Sequence, residues 1–462
     1  MLVFISDLHL TDGTSGETID AGAFKVFRER LRDLAYDASW RADGKYKPLE
    51  RLDLVLLGDI LDVIRSEQWV GKTVKPWEQQ ERPEAFQKKV GTVTEAILQT
   101  NAEALGYVRS LQDPKVITLP PATRKGEPKK KVPWEPDAPE RLPVDVHVHY
   151  LVGNHDWFYH LPGPAYDAIR DQIVKAMGLA NAPTAPFPHD PNESAVIREL
   201  LEAHRVFARH GDIFDPFNYE GNRDASSLGD AIVVELLNRF PAEVAARMGK
   251  QLPQDCLLGL RELDNVRPLV AIPGWIEGLL RRTCPDPGQA RAVKALWDEL
   301  ADEFLNLKFV SDRDKPFRLD LVDGLEVALK FSKGMSLRLL GRLPHWLDEL
   351  LREKPSAEHA LGEQDFKNRA ARYIVYGHTH RHKIVPLDSC CLAQGLFEQM
   401  YVNSGTWRRV YERACWRPED QEFMGYYVMT YLAFFKDGER HGRTFETWSG
   451  ALGARETGSG AP

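Results

Sequence analysis

Five short apolar runs of this chain end in the same punctuation: Asp, Asn or His, usually beside glycine. The tips read "SDLH" at 6–9, "GDILD" at 58–62, "GNHD" at 153–156, "HGD" at 210–212 and "GHTH" at 377–380. The runs that lead into them, among them "LVFIS", "LDLVLL" and "RYIVY", are short, apolar and partly β-branched. They predict buried strands of the parallel type, joined by helices in an α/β fold. Residues 18–40 carry helical spacing through Phe24, Phe27, Leu31 and Leu34, and 83–112 predict a second long helix. In open α/β sheets the functional crevice lies outside the carboxyl ends of the strands. Each run therefore delivers its polar tip to one rim, where glycine permits a sharp turn and a close approach of backbone to a ligand.

Collected at that rim, the tips offer carboxylate, amide and imidazole, and no thiolate. Hard oxygens mixed with borderline nitrogens suit Mn, Fe, Zn or Co. The donors are too many for one ion, and a pair of ions sharing a bridging carboxylate accounts for their number. Two metals about 3.5–4 Å apart can hold a hydroxide between them and clamp a phosphoryl group for in-line attack.

In this order the five motifs resemble the calcineurin-like metallophosphoesterase superfamily, over roughly 1–215 and 370–410 of the chain. The resemblance implies a four-layer αββα sandwich. It implies that Asp7 and His9 bind one ion together with His380, that Asp59 bridges both ions, and that Asn154, His210 and His378 hold the second. Asp7 and His9, as i and i+2 of a strand, point to the same side if the chain stays extended through Leu8. His155 is similar to the family histidine that contacts the phosphoryl oxygen and protonates the leaving group, and Asp62 matches the acid that orients it. A histidine acting as general acid needs such an acceptor at its far nitrogen, to fix its tautomer and support its charged form. The implied activity is hydrolysis of a phosphate mono- or diester by a metal-bridging hydroxide, with two divalent cations, manganese first among them. The implied substrate is a phosphorylated small molecule or nucleotide-linked compound. A nuclease of the same superfamily and a non-catalytic metal-binding scaffold are the alternatives. A helical cap between "HGD" and "GHTHR" also resembles the bacterial UDP-diacylglucosamine pyrophosphohydrolase branch. Here the insertion is much longer, and His155 stands where that branch has Arg.

The rest of the chain is read around this frame. Residues 216–370 are helix-like, with "AIVVELLNRF", "RAVKALWDELADEFLNL", "LVDGLEVALKFS" and "LPHWLDELLREK", and read as an insertion. The core is then 1–215 plus 371–450, with a disordered tail at 451–462. The Pro- and Lys-rich stretch 120–143 reads as a loop. Asp156, Asp212 and Asp215 are expected to brace loops, while Arg65 and Arg381, just past motif tips, are expected to be surface arginines. His147 and His149 are expected on an exposed strand face. A net charge of −8 gives no help to broad adhesion to nucleic acid. Five cysteines without a CxxC pair argue against a thiolate zinc site and for reduced thiols in a cytoplasm-like compartment. A strand starting at residue 2 leaves no room for a signal peptide, and "LVAIPGWIEGLL" is broken by Pro273 and Glu277, so no membrane span is expected.

Overall fold

The computed structural model describes residues 1–266, 271–313, 356–392, 395–416 and 422–452. They form a mixed α/β protein. The strands are β1 (Leu2–Ile5), β2 (Arg51–Leu57), β3 (Thr118–Leu119), β4 (Leu142–Pro143), β5 (Asp145–Leu151) and β6 (Val206–Ala208). They continue with β7 (Tyr373–Tyr376), β8 (Lys383–Leu392), β9 (Gly395–Asn403), β10 (Arg409–Arg413), β11 (Phe423–Phe434) and β12 (Phe445–Leu452).

One sheet runs β10-β11-β1-β2-β5, with β12 on β11. The neighbours β1, β2 and β5 are parallel, and β11 runs antiparallel to β1. The other large sheet runs β6-β7-β9-β8, with β6, β7 and β9 parallel. Strand period divides the apolar residues cleanly. Val3, Ile5, Leu54 and Leu56 pack with Phe24, Phe27 and Leu31 of α1 (Ala21–Ala38) and with Val90 and Ile97 of α2 (Pro83–Thr100). Their neighbours Leu2, Phe4, Val55 and Leu57 pack instead with Val206, Ala208, Val375 and Val402 of the second sheet. The far side of that sheet, Phe207, Ile374 and Tyr401, packs with Ala360 and Ala371. Each fully buried side chain of this kind contributes roughly 1.5–3 kcal/mol relative to exposure, so a one-residue slip of β1 would exchange two cores at once.

The expected helix at 83–112 is two helices, α2 and α3 (Ala102–Ser110). Asn101 breaks it. Its Nδ2 donates to Thr11 O and to Ile97 O, both at 2.8 Å, and so ties the helix end to the loop beyond β1. After α4 (Pro164–Met177) and α5 (Ala195–Glu202), the chain between β6 and β7 enters helices. Those described are α6 (Leu228–Ile232), continued by a π-turn Val233–Asn238, then α7 (Arg239–Met248), α8 (Gln254–Leu260), α9 (Ile272–Thr283), α10 (Pro287–Leu305), α11 (Lys308–Ser311), α12 (Ser356–Ala360) and α13 (Gln364–Lys367). Helices α6–α11 share one apolar cluster with the helices that cover the first sheet, and α12 packs on the far side of the second. The helices expected at 321–332 and 343–354, and residues 453–462, lie outside the described residues. Residues 451–452 end β12. None of the described helices is long and apolar enough to cross a membrane.

Candidate metal centre

The strand tips do meet. Just past β1, His9 Nε2 lies 3.9 Å from Asp7 Oδ1 and 2.9 Å from His380 Nε2, and His380 Nε2 lies 3.3 Å from Asp7 Oδ1. Past β2, Asp59 Oδ2 lies 3.7 Å from His9 Nε2 and 3.1 Å from His210 Nε2. Three overlapping groups have ligand-type atoms within 4.8 Å of one another: Asp7, His9 and His380; His9, Asp59 and His155; Asp59, His210 and His378. Asn154 stands beside them, with Nδ2 donating to Asn218 Oδ1 at 3.2 Å. Of the nine residues named from the sequence, Asp7, His9, Asp59, Asp62, His155, His210, His378 and His380 join directly in this one constellation, and Asn154 is linked to it through Asn218 and Asp215.

Asp62 does more than expected. Its Oδ1 accepts from His155 Nδ1 at 2.8 Å and its Oδ2 from His9 Nδ1 at 2.7 Å. One buried carboxylate thus sets the tautomer of two imidazoles, and the Nε2 of His9 faces the cluster. His210 is set in the same way, with Nδ1 2.9 Å from Leu57 O. His378 Nε2 lies 3.0 Å from Asp215 Oδ2. Orientation of this kind, by a carboxylate or a carbonyl, is the usual support of a metal-ligating histidine.

The backbone corrects one expectation. β1 ends at Ile5, and Asp7 and His9 are not extended: their φ angles are 53° and 46°. Asp59, His378 and His380 also take positive φ, at 55°, 66° and 58°. Left-handed backbone is uncommon outside glycine and costs on the order of 1–3 kcal/mol at each residue. The surroundings enforce it. Thr406 Oγ1 donates to Asp7 O at 2.7 Å and Trp407 N at 3.2 Å, while Asp7 N and His9 N donate to Gly58 O and Asp59 O. Gly153 is required for a different reason, since a Cβ there would sit 2.3 Å from Asp59 Oδ1.

Charge balance bears on what the cluster can hold. Burial pushes Asp7 up to about 6 against the pull of His210, with Asp59 adding to the rise. Burial would also raise Asp59, but the charges of His210, His155 and His9 hold it well below the usual carboxylate range. His9 is pushed down to about 3 by burial and by Arg408. Against burial, Asp59 holds His210 up to about 10, and Asp62 and Asp59 hold His155 up to about 9. Three buried carboxylates, Asp7, Asp59 and Asp62, therefore lean on imidazoles for their positive charge. Asn154 Oδ1 is buried and makes no hydrogen bond to described residues. An orphaned acceptor beside carboxylates short of positive charge is what a divalent cation satisfies, and the donor set is of the kind that holds one.

Of the bracing acids, Asp156 accepts from Gly153 N, Ile60 N and Tyr150 Oη, and Asp212 takes the fork of Arg223. Asn218 was not expected. It links Asn154 to Asp215, and a lone Asn in "FDPFNYE" carries no signal to mark it. Arg381 is exposed as expected, but Arg65 is buried, with Nε 3.1 Å from Asp264 Oδ2. Arg408 reaches the same Asp264 oxygen at 3.0 Å. The helical stretch between β6 and β7 thereby holds Arg408, whose charge reaches His9. His149 is also buried, with Nε2 3.0 Å from Asp53 Oδ1, whereas His147 is partly exposed beside Asp145. Compared with models of known protein families, the chain matches none, and a comparison with curated proteins likewise gives no match.

Proposed function

We propose that this protein is a dinuclear-metal-dependent phosphoesterase, a four-layer αββα sandwich with a helical cap from residues 216–370. The single observation that carries the proposal is the position of Asp59 Oδ2, 3.7 Å from His9 Nε2 on one side and 3.1 Å from His210 Nε2 on the other. One carboxylate oxygen joins two donor sets, with Asp7 and His380 beyond the first and Asn154 and His378 beyond the second. The layer order is supported by the three apolar clusters, which succeed one another as helix, sheet, sheet, helix.

Two divalent ions bound there, with manganese favoured, supply a nucleophilic water at neutral pH and neutralise the phosphoryl oxygens. The chain's own residues do the rest. Asp62 holds His155 in one tautomer and favours its protonated form, so His155 carries the proton that the leaving oxygen needs. His155, His378 and His380 are the partly exposed members of the cluster, so substrate approaches from their side. A cap over the site is supported by Asp264 and Asn265, which grip Arg408. A phosphorylated small molecule or nucleotide-linked compound fits such a covered site, in a cytoplasmic setting.

The test uses purified protein with Mn²⁺ on bis-p-nitrophenyl phosphate, p-nitrophenyl phosphate, a nucleotide-sugar diphosphate and single-stranded DNA. Hydrolysis of at least one of the first three, abolished by chelation and by Asp59→Asn, is expected. Preference for DNA with steep salt dependence overturns the substrate class. No hydrolysis of any of the four by protein carrying two bound ions overturns the activity.

A further inference from the structure

We infer that His160, His189 and Asp224 form a second, mononuclear site for a divalent transition metal of the zinc class, separate from the centre described above. The three come from different segments. His160 closes the turn Trp157–His160, His189 precedes the turn Pro191–Glu193, and Asp224 lies on the way into the insertion. Their ligand-type atoms fall within 4.8 Å of one another.

Hydrogen bonding sets His160 up to give a lone pair. His160 Nδ1 lies 2.8 Å from Phe187 O. A carbonyl only accepts, so Nδ1 carries the proton and Nε2 the lone pair. His189 is 3% exposed, and its Nε2 lies 3.0 Å from Asp224 Oδ1. An ion at this point takes the Nε2 lone pair together with the Asp224 oxygen, and the ring proton passes to Nδ1, a buried nitrogen with no hydrogen-bond partner among the described residues.

The rings of His160 and His189 stand 4.2 Å apart at 34°, so two imidazoles and a carboxylate crowd one point. A cation resolves the crowding. The far-nitrogen contact of His160, a backbone carbonyl, is a support that metal-ligating histidines use. Two borderline nitrogens with one carboxylate favour zinc over magnesium or calcium. The half-exposed Asp224 and His160 leave a side open for water to complete a tetrahedron.

Its place in the fold gives it a structural use. Arg223, next to Asp224, forks onto Asp212 at 2.7 and 3.1 Å and reaches Asp190 at 3.2 Å. Asp190 adjoins His189, and Asp212 follows His210 by two residues. An ion at this point ties the entry to the insertion to the loop that carries His210.

The test is metal counting on the full chain. Protein stripped by chelator is equilibrated with Zn²⁺ by dialysis, and bound metal is measured for wild type, His160→Gln and Asp224→Asn, both at partly exposed positions. Each variant is expected to bind one equivalent fewer than wild type. Because the readout is a difference, it stands whether the other centre holds two ions, one or none. Zn²⁺-soaked wild-type crystals provide a readout free of any folding defect, with an anomalous peak expected between His160 and His189. Equal stoichiometry in wild type and a folded variant, or no peak at that position, overturns the inference.

Discussion

Asp62→Asn isolates the carboxylate on which the proposed chemistry turns. The side chain is fully buried and keeps its shape, but an amide offers one acceptor oxygen and one donor nitrogen where Asp62 now accepts at both, from His155 at 2.8 Å and from His9 at 2.7 Å. One imidazole must lose its acceptor or change tautomer. A hydrogen bond to a charged group contributes about 1.5–3 kcal/mol, and His155 also loses the charge that keeps it protonated. A loss of about 2–4 kcal/mol in transition-state stabilisation corresponds to roughly 30- to 1000-fold in kcat. The His9 side has its own signature, since disturbing a ligand's orienting partner costs about 10- to 100-fold in metal affinity. The assay is kcat against Mn²⁺ concentration, on a nitrophenyl and an alkyl phosphoester. Saturating Mn²⁺ should recover the metal share only. The remaining deficit should be larger for the alkyl ester, whose leaving oxygen needs the proton. A deficit under about threefold on the alkyl ester at saturating Mn²⁺, or equal deficits on both esters, would refute the role given to Asp62.

Three further outcomes follow from the same geometry. His155 is held up to about 9, so it is protonated below that pH and loses its proton above it; bound cations lower this value, so kcat/KM should fall at or below pH 9, and His155→Gln should lack that descending limb. Gly153→Ala should weaken metal binding and destabilise by about 1–3 kcal/mol through overpacking, because its Cβ lands 2.3 Å from Asp59 Oδ1 and 2.9 Å from Asp59 N; isothermal titration with Mn²⁺ and denaturant melts measure both. Trp407→Ala should cost about 3–5 kcal/mol in a denaturant melt, since the ring is fully buried against Phe24 and Phe27 and its Nε1 donates to Thr430 O at 2.7 Å.

The strands that carry the site were legible because buried parallel strands are continuous apolar runs, and their tips are chemically conspicuous. β8, β10 and β12 were not. "KIVPLDSCCL" holds Pro386 and a register shift before Asp388, and "RVYER" is charged at both ends with Glu412 and Arg413 exposed, so neither shows an apolar run. The gathering of Asp7 and His9 was anticipated, but its mechanism was not. Period-two reasoning assumes extended backbone, whereas tertiary bonds from Gly58, Asp59 and Thr406 hold both residues in the left-handed region. The double duty of Asp62 and the links through Asn218 were equally invisible, because which side chains share an acceptor is settled only when distant loops meet. The burial of Arg65 belongs with these, since Asp264 lies 199 positions away, among the helices between β6 and β7.

The most direct test of the central claim is anomalous scattering at the manganese edge from crystals grown with Mn²⁺. Two peaks about 3.5–4 Å apart, one on each side of the Asp59 carboxylate, with His9 and His380 at the first and His210 and His378 at the second, are what the geometry predicts. A single peak, or none between these side chains, would contradict it.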